Sequence, residues 1–145
     1  MQEKTLFLIK PDGVARGLGS EIISRVNTAG LKIIAQKQLQ VSPEMAQDLY
    51  SPHFGKHFYP GLISFITSGP VIPMMVQGEN AILKIRELMG ATDPREARAG
   101  TIRGDLKEEN IFTEHGSIKN IVHGSDSLGS AVRELEIFFP HPLPR

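Results

Sequence analysis

The 145-residue sequence contains no cysteine. That excludes disulfides, a thiolate nucleophile and zinc or iron–sulfur sites held by cysteine. It also lacks an excess of charge: 16 Lys plus Arg against 16 Asp plus Glu give a formal net charge of zero. Proteins whose main work is gripping nucleic acid carry a basic excess, so nucleic acid is set aside as the main ligand, although net charge leaves a local basic groove open. Long apolar runs are missing as well. The first, Leu-Phe-Leu-Ile at residues 6–9, is too short for the core of a signal peptide. Nothing approaches the roughly 18–20 apolar residues of a membrane-spanning helix. There is no internal repeat and no low-complexity tract. These absences set the expectation of a soluble, cytoplasmic protein with no membrane partner. What is present is ordinary: 40% hydrophobic and 22% charged residues. The length suits one domain, so 1–145 is read as a single domain with its own core.

Residues 6–9 read as a buried strand stopped by a turn at Pro11-Asp12-Gly13. Leu18, Ile22, Ile23, Val26 and Ala29 share one helical face, and Gly30 stands where a helix-ending glycine belongs. Residues 31–41 alternate as a strand, with Lys37 as the exception. Ser42-Pro43 is a helix start, and the short helix runs to Tyr50, ended by Pro52. A second short helix is expected at 61–68. Residues 71–76 read as a strand in which Pro70 and Pro73 demand an edge position or an irregularity at 73. Ala81, Ile82, Ile85, Leu88 and Met89 form another helix, closed by Gly90. Residues 91–117 are charged and aperiodic, which predicts a long functional or mobile loop. A short strand is expected at 118–122. A last helix, capped by Asp126 or Ser127, carries Leu128, Ala131, Val132, Leu135 and Phe138 or Phe139. Pro140, Pro142 and Pro144 make the tail extended. The order βαββαβ, with the small helices inserted, describes an α+β ferredoxin-like sandwich. It has a four-stranded antiparallel sheet and two helices on one face.

Among the five histidines, His123 is placed most suggestively, after a short apolar strand and before Gly-Ser-Asp-Ser and a helix start. A helix N-terminus there would favour an anion, and imidazole is a good nucleophile near neutral pH. Spacing alone leaves this open against an ordinary strand-end histidine bonded to a backbone carbonyl. His53 and His57 are four apart, but no zinc-protease pattern surrounds them, and two surface histidines explain them better. Neither glycine-rich phosphate-loop pattern occurs. A bound nucleotide would therefore need side chains. Lys10 at the end of the first strand, Arg86 on a helix and Arg103 between two glycines are the candidates. Taken singly, each reads better as a solvated surface charge, and spacing does not join them.

Taken together, several segments resemble the nucleoside diphosphate kinase family. They are Lys-Pro-Asp-Gly-Val (10–14), Arg-Gly-Leu-Gly-Ser-Glu-Ile-Ile (16–23), Phe-Ile-Thr-Ser-Gly-Pro-Val (65–71), Gly-Ala-Thr-Asp-Pro (90–94), Gly-Thr-Ile-Arg-Gly-Asp (100–105) and Asn-x-x-His-Gly-Ser-Asp-Ser (120–127). They span nearly the whole chain in the family's order. The resemblance implies a ping-pong reaction in which the γ-phosphoryl of ATP or another nucleoside triphosphate passes to a histidine and then to a nucleoside diphosphate. It implies His123 as the phosphorylated residue, on the ring nitrogen nearer the backbone. Lys10 and Tyr50 would steady the phosphoryl group, while Arg86, Thr92 and Arg103 would bind phosphates. Asn120, with Lys10, would meet the sugar hydroxyls, and Phe58 would stack on the base. Glu134 would orient the histidine, supported by Ser125. Mg²⁺ would ride on the nucleotide phosphates rather than in a protein cage. The family's homo-oligomers are hexamers or tetramers.

Two features depart from the family pattern. Residues 106–119 form a longer segment than common members carry between Arg-Gly-Asp and Asn-x-x-His. Pro73 falls in a strand where small or β-branched residues are usual. Two other classes, a nucleotide-binding protein without turnover and a nucleic-acid or structural role on the same sheet, are separated from the kinase by phosphohistidine formation and by filter binding.

Overall fold

The uninterrupted apolar run at 6–9 lies in β1 (Gln2–Ile9), and it is buried on both sides. Side chains alternate across a strand, so Phe7 and Ile9 enter one core while Leu6 and Leu8 enter another. The structure, a computed structural model, describes residues 1–140. Pro142 and Pro144 of the expected tail lie outside the described residues.

After β1 the expected turn is instead a short helix, α1 (Pro11–Ala15), with Lys10 as its N-cap residue. Proline at the first helical position presets φ and has no N–H to leave unpaired. α2 (Gly19–Thr28) buries Ile22 and Val26, and Gly30 follows it at φ 83°. The strand read at 31–41 breaks where Lys37 interrupts the alternation, giving β2 (Lys32–Gln36) and β3 (Leu39–Gln40). α3 (Pro43–Leu49) starts as its sequence suggests, with Ser42 Oγ accepting from Met45 N–H at 3.1 Å. A single 3₁₀ turn at Ser51–His53 and α4 (Tyr59–Ile66) lead to β4 (Pro70–Glu79) and α5 (Ala81–Met89).

The segment 91–117 is not a plain loop. It holds a 3₁₀ turn at Pro94–Glu96 and α6 (Ile102–Leu106), whose N-cap Thr101 accepts from Gly104 N–H. The strand expected at 118–122 lies further on, as β5 (Val122–Gly124). Pairing decides this: Val122, His123 and Gly124 face Ile9, Leu8 and Phe7 of β1, whereas Ile118 bridges back to Phe112. α7 (Leu128–Phe138) is the last element among the described residues, with Ser127 Oγ accepting from Ser130 N–H.

Every pairing is antiparallel, in the order β2-β4-β1-β5, with β3 also on β4. This is the ferredoxin-like arrangement. α2 and α5 pack on the face that carries Phe7 and Ile9. The opposite face, with Leu6 and Leu8, is covered by the inserted α3 and α4 together with α7. β4 is central, not an edge strand. Pro73 faces Leu8 of β1, and its carbonyl accepts from Lys37 N–H at 3.3 Å. A residue's N and O point to the same neighbour in an antiparallel pair. The missing N–H of Pro73 therefore faces the break between β2 and β3, and the irregularity falls on the partner strand. Among the described residues no helix is long and apolar enough to cross a membrane.

Candidate active site

The site grows from a tight turn just before β5. Val122 N–H donates to Asn120 O at 2.7 Å, and Ile121 between them has φ 73°. A β-branched residue in that region is strained by about 1–3 kcal/mol, and such strain gathers at functional sites. Two groups hold it. Ile121 N–H donates to the buried Asp12 Oδ2 at 3.0 Å, and Ile121 O accepts from Lys10 N–H at 2.8 Å. The turn brings Asn120 beside Lys10, and the chain then enters the sheet at His123.

Lys10 Nζ donates to Asn120 Oδ1 at 2.8 Å, and Asn120 Nδ2 donates to Thr92 O at 3.0 Å. Arg103, on α6, donates to three backbone carbonyls: Nε to Asn120 at 3.0 Å, Nη1 to Gly90 at 3.1 Å and Nη2 to Val122 at 2.8 Å. A guanidinium has five N–H donors, so among the described residues two stay without a partner and can meet an anion. Both cations are buried. Burial, then the Arg103 charge, lowers the Lys10 ammonium to about 8, with Asp12 acting the other way. Burial, then Arg86, lowers Arg103 to about 10, again opposed by Asp12. Burial raises the Asp12 carboxyl against the pull of Lys10. Two buried cations share one carboxylate, and exposed Arg86 on α5 adds a third positive charge. The ensemble is under-neutralised and suits a polyanion.

This has a pH signature with two opposite signs. Activity that needs charged Lys10 falls as pH rises through about 8, so kcat/KM, which reports the free protein, drops about tenfold per unit above that point. Stability moves the other way. Between about 8 and 10 the folded Lys10 has lost its proton while the unfolded one, at the ordinary 10.5, keeps it. Unfolding then takes up a proton, so raising the pH favours the folded state in that window. Kinetics and urea midpoints across pH 7–10 check both signs.

His123 lies 2.8 Å by its Nε2 from Glu134 Oε1, which also accepts from Ser125 Oγ at 2.7 Å. Arg133 Nη2 donates to Glu134 Oε2 at 3.4 Å. Burial works to raise the Glu134 carboxyl, but the bond and charge of His123, with Ser125 and Arg133, bring it below its ordinary value. An ionised Glu134 accepts the Nε2–H proton, which assigns the tautomer and leaves the Nδ1 lone pair free. The His123 side chain is 20% exposed, enough for a ligand to reach it. Tyr50, at the end of α3, is buried beside this group. Burial, then the Glu134 charge, pushes its phenol up, so it stays protonated. Arg133 also donates to Asp48 O at 2.6 Å and so ties the end of α3 to α7. Gly124 lets α5 close on β5, since a β-carbon there would stand 2.8 Å from Ile85 Cγ2.

Of the nine expected site residues other than Phe58, two sit at the margins. Arg86 is linked to the rest through its charge on Arg103 and on Asp126. Thr92 meets Asn120 by its backbone oxygen rather than by its side chain. Phe58 stands apart, 41% exposed at the start of α4. Its ring neighbours are His53 at 5.3 Å and His57 at 5.4 Å, with Lys56 Nζ 5.7 Å from its centre. The histidines four apart therefore flank an aromatic ring. Among the described residues no three His, Cys, Asp or Glu side chains gather as a metal would need. Sequence reasoning passed over Asp12 and Arg133. Asp12 was readable only as a turn residue, and Arg133, next to Glu134, gave no local signal.

Three comparisons bear on this geometry. The family model described as nucleoside diphosphate kinase matches residues 3–142. A nucleoside diphosphate kinase of Listeria monocytogenes serotype 4a (strain HCC23) is 49% identical over 137 residues, covering 94% of this chain and 88% of the relative. Among solved structures, a halophilic nucleoside diphosphate kinase from Halobacterium salinarum in complex with CDP superposes with a TM-score of 0.87 at 42% identity. That match covers 96% of this chain and 88% of the other. A transition-state mimic of the Borrelia burgdorferi enzyme, with bound vanadate and ADP, gives 0.88 at 38% identity over 95% and 87% of the two chains. With these similarities along almost its full length, the chain belongs to the nucleoside diphosphate kinase family.

Proposed function

We propose that this phosphotransferase carries the γ-phosphoryl group of a nucleoside triphosphate, chiefly ATP, on Nδ1 of His123 and passes it to a nucleoside diphosphate. The observation that carries the reading is the His123–Glu134–Ser125 chain, which leaves one imidazole lone pair free on the residue next to Val122, whose carbonyl Arg103 holds, and three positions after Asn120, the partner of Lys10. In the first half-reaction the Nδ1 lone pair forms an N–P bond in line with the departing diphosphate, which leaves with the electron pair of the broken P–O bond. The proton stays on Nε2, hydrogen-bonded to Glu134 throughout, and the growing positive charge on the ring is met by that carboxylate. In the second half, a terminal oxygen of the acceptor diphosphate displaces phosphorus from Nδ1, and the electron pair returns to the ring.

Such a loose transition state needs positioning and positive charge more than covalent assistance. Lys10, Arg86 and the two free N–H groups of Arg103 supply the charge, and the Tyr50 hydroxyl and Thr92 complete the phosphate grip. Asn120 with Lys10 meets the sugar hydroxyls. Phe58 offers a flat face with no base-edge donor, which accepts any base. Mg²⁺ on the nucleotide phosphates would screen their charge, and the donor set fits an ion brought by the nucleotide, with Asp126 beside Arg86 as the carboxylate at that end. A homo-oligomer, hexamer or tetramer, fits the open outer edge of β2, where Ile34 is exposed. The cytoplasm is the proposed setting.

Initial rates test the reaction order. With ATP varied at several fixed GDP concentrations, double-reciprocal lines are expected to be parallel, as for a two-step transfer. Intersecting lines would mean direct transfer in a ternary complex. Glu134→Gln keeps the acceptor oxygen and loses the charge. It is expected to lower kcat by about 10²-fold, the scale of losing an orienting carboxylate.

A further inference from the structure

Residues 106–119, expected from the sequence to be long for the family, have a shape of their own. Between α6 and Asn120 they close a hairpin. Lys119 N–H donates to Ile111 O at 2.6 Å, Thr113 N–H donates to Ser117 O at 2.8 Å, and Gly116 turns at φ 81°. The root is pinned by Lys119 and Glu108 at 3.2 Å and runs straight into Asn120.

The hairpin touches both walls that flank Lys10. One wall is α4. Phe58 is its N-cap residue, with its carbonyl accepting from Leu62 N–H, and the Phe65 ring lies 5.9 Å from Lys10 Nζ. The tip lies against this wall at Gly61: a β-carbon there would stand 2.5 Å from Ser117 Oγ and 3.6 Å from His115 O. The other wall is residues 90–96, bonded by Asn120 and Arg103. The Phe112 ring lies against it, 5.2 Å from the Arg95 guanidinium, which Asp93 holds at 2.8 Å.

Gly61 is a poor choice by local propensity. It lies inside α4 at an ordinary φ, where glycine is less favourable than alanine by about 1 kcal/mol. The close seat of Ser117 gives the reason for it. We infer that the hairpin of residues 111–119 is a clasp, and that the Gly61–Ser117 contact sets the distance between the Phe58 wall and the Thr92 wall of the nucleotide cleft. Gly61 and Ser117 are positioning residues, acting on the nucleotide through Phe58. The inference rests on the function proposed above.

Gly61→Ala tests it. Alanine suits the helix, so the fold is retained, but the methyl group drives Ser117 away. The KM for GDP is expected to rise roughly five- to tenfold with kcat within about twofold, the pattern of lost ground-state binding. In the double variant Gly61→Ala/Ser117→Ala the offending oxygen is gone and the Ser117 β-carbon stands at 3.8 Å, an ordinary contact, so KM returns to within about twofold of the parent. A purely structural glycine would give a loss that Ser117→Ala does not restore. Unchanged KM in Gly61→Ala, or no recovery in the double variant, overturns the clasp. Label uptake from γ-labelled ATP at saturation separates the two readings. If the parent protein takes up label and KM fails to move, the clasp alone is wrong. If the parent takes up none, the function proposed above is wrong and the clasp falls with it.

Discussion

His123→Ala protein incubated with γ-labelled ATP is expected to carry no label that is acid-labile and alkali-stable, and its turnover with GDP is expected to fall by about 10⁴-fold or more. The size follows from the geometry. In the proposed mechanism Nδ1 of His123 is the one protein atom that bonds to the migrating phosphorus, and Lys10, Arg103 and Asn120 would stabilise charge, not replace it. Removing the ring also leaves Glu134 with Ser125 and Arg133 as partners, so the buried carboxylate is still hydrogen-bonded. The fold should survive with only a small loss of stability. A folded, nucleotide-binding, inactive protein is therefore the expected phenotype, checked by circular dichroism, GDP affinity and label uptake together. A variant that still passes label to GDP would move the nucleophile elsewhere.

Arg103→Ala should behave differently, losing both fold stability and rate. Its guanidinium satisfies the carbonyls of Gly90, Asn120 and Val122 at once. Alanine leaves the carbonyls of Gly90 and Val122 without donors, at about 1–3 kcal/mol each when unsatisfied, while the Asn120 carbonyl keeps the N–H of Val122. Against this, a buried charge held down to about 10 is removed, and that relief is worth roughly half as much. A net destabilisation of about 1–3 kcal/mol is expected, read as a shift of the urea midpoint. The rate falls by about 10²–10³-fold, because the phosphate donors go and the turn that carries Asn120 and Val122 relaxes. Arg103→Lys separates the two roles. It keeps the charge, but one ammonium cannot serve three carbonyls and a phosphate. Recovery of less than about a tenth of the lost rate is expected. Full recovery would mean that Arg103 acts only as a point charge.

The legible parts of the fold are those with local causes. Ser42-Pro43 and Ser127 cap helices by contacts within four residues, and the run at 6–9 has no polar residue to place elsewhere. β5 was displaced because its limits are set by pairing with β1, more than a hundred residues away, and an apolar stretch with Ile118, Ile121 and Val122 does not reveal which of them turns left-handed. α6 was hidden because five residues including Gly104 make a weak helix by propensity; Thr101 and the long-range bonds of Arg103 sustain it. Pro73 was read as demanding an edge position or an irregularity in its own strand, whereas β4 is central and the break falls on the partner strand. The site divides in the same way. His123 and Arg103 stand beside glycines that hinted at close approach, but no spacing could join Lys10 to Asn120, 110 positions apart. The ordered family motifs joined them. Asp12 escaped because its role, holding Ile121 in a strained turn, exists only once the chain has folded.

The central claim is a covalent relay through His123, and isolation of the intermediate tests it most directly. The protein is incubated with γ-labelled ATP, freed of nucleotide by gel filtration under alkaline conditions, and then given GDP alone. Label emerging with the protein, located on His123 and transferred nearly completely to GTP, is the expected result. Protein that leaves the column unlabelled while still catalysing exchange, or label on His123 that GDP does not remove, would contradict it.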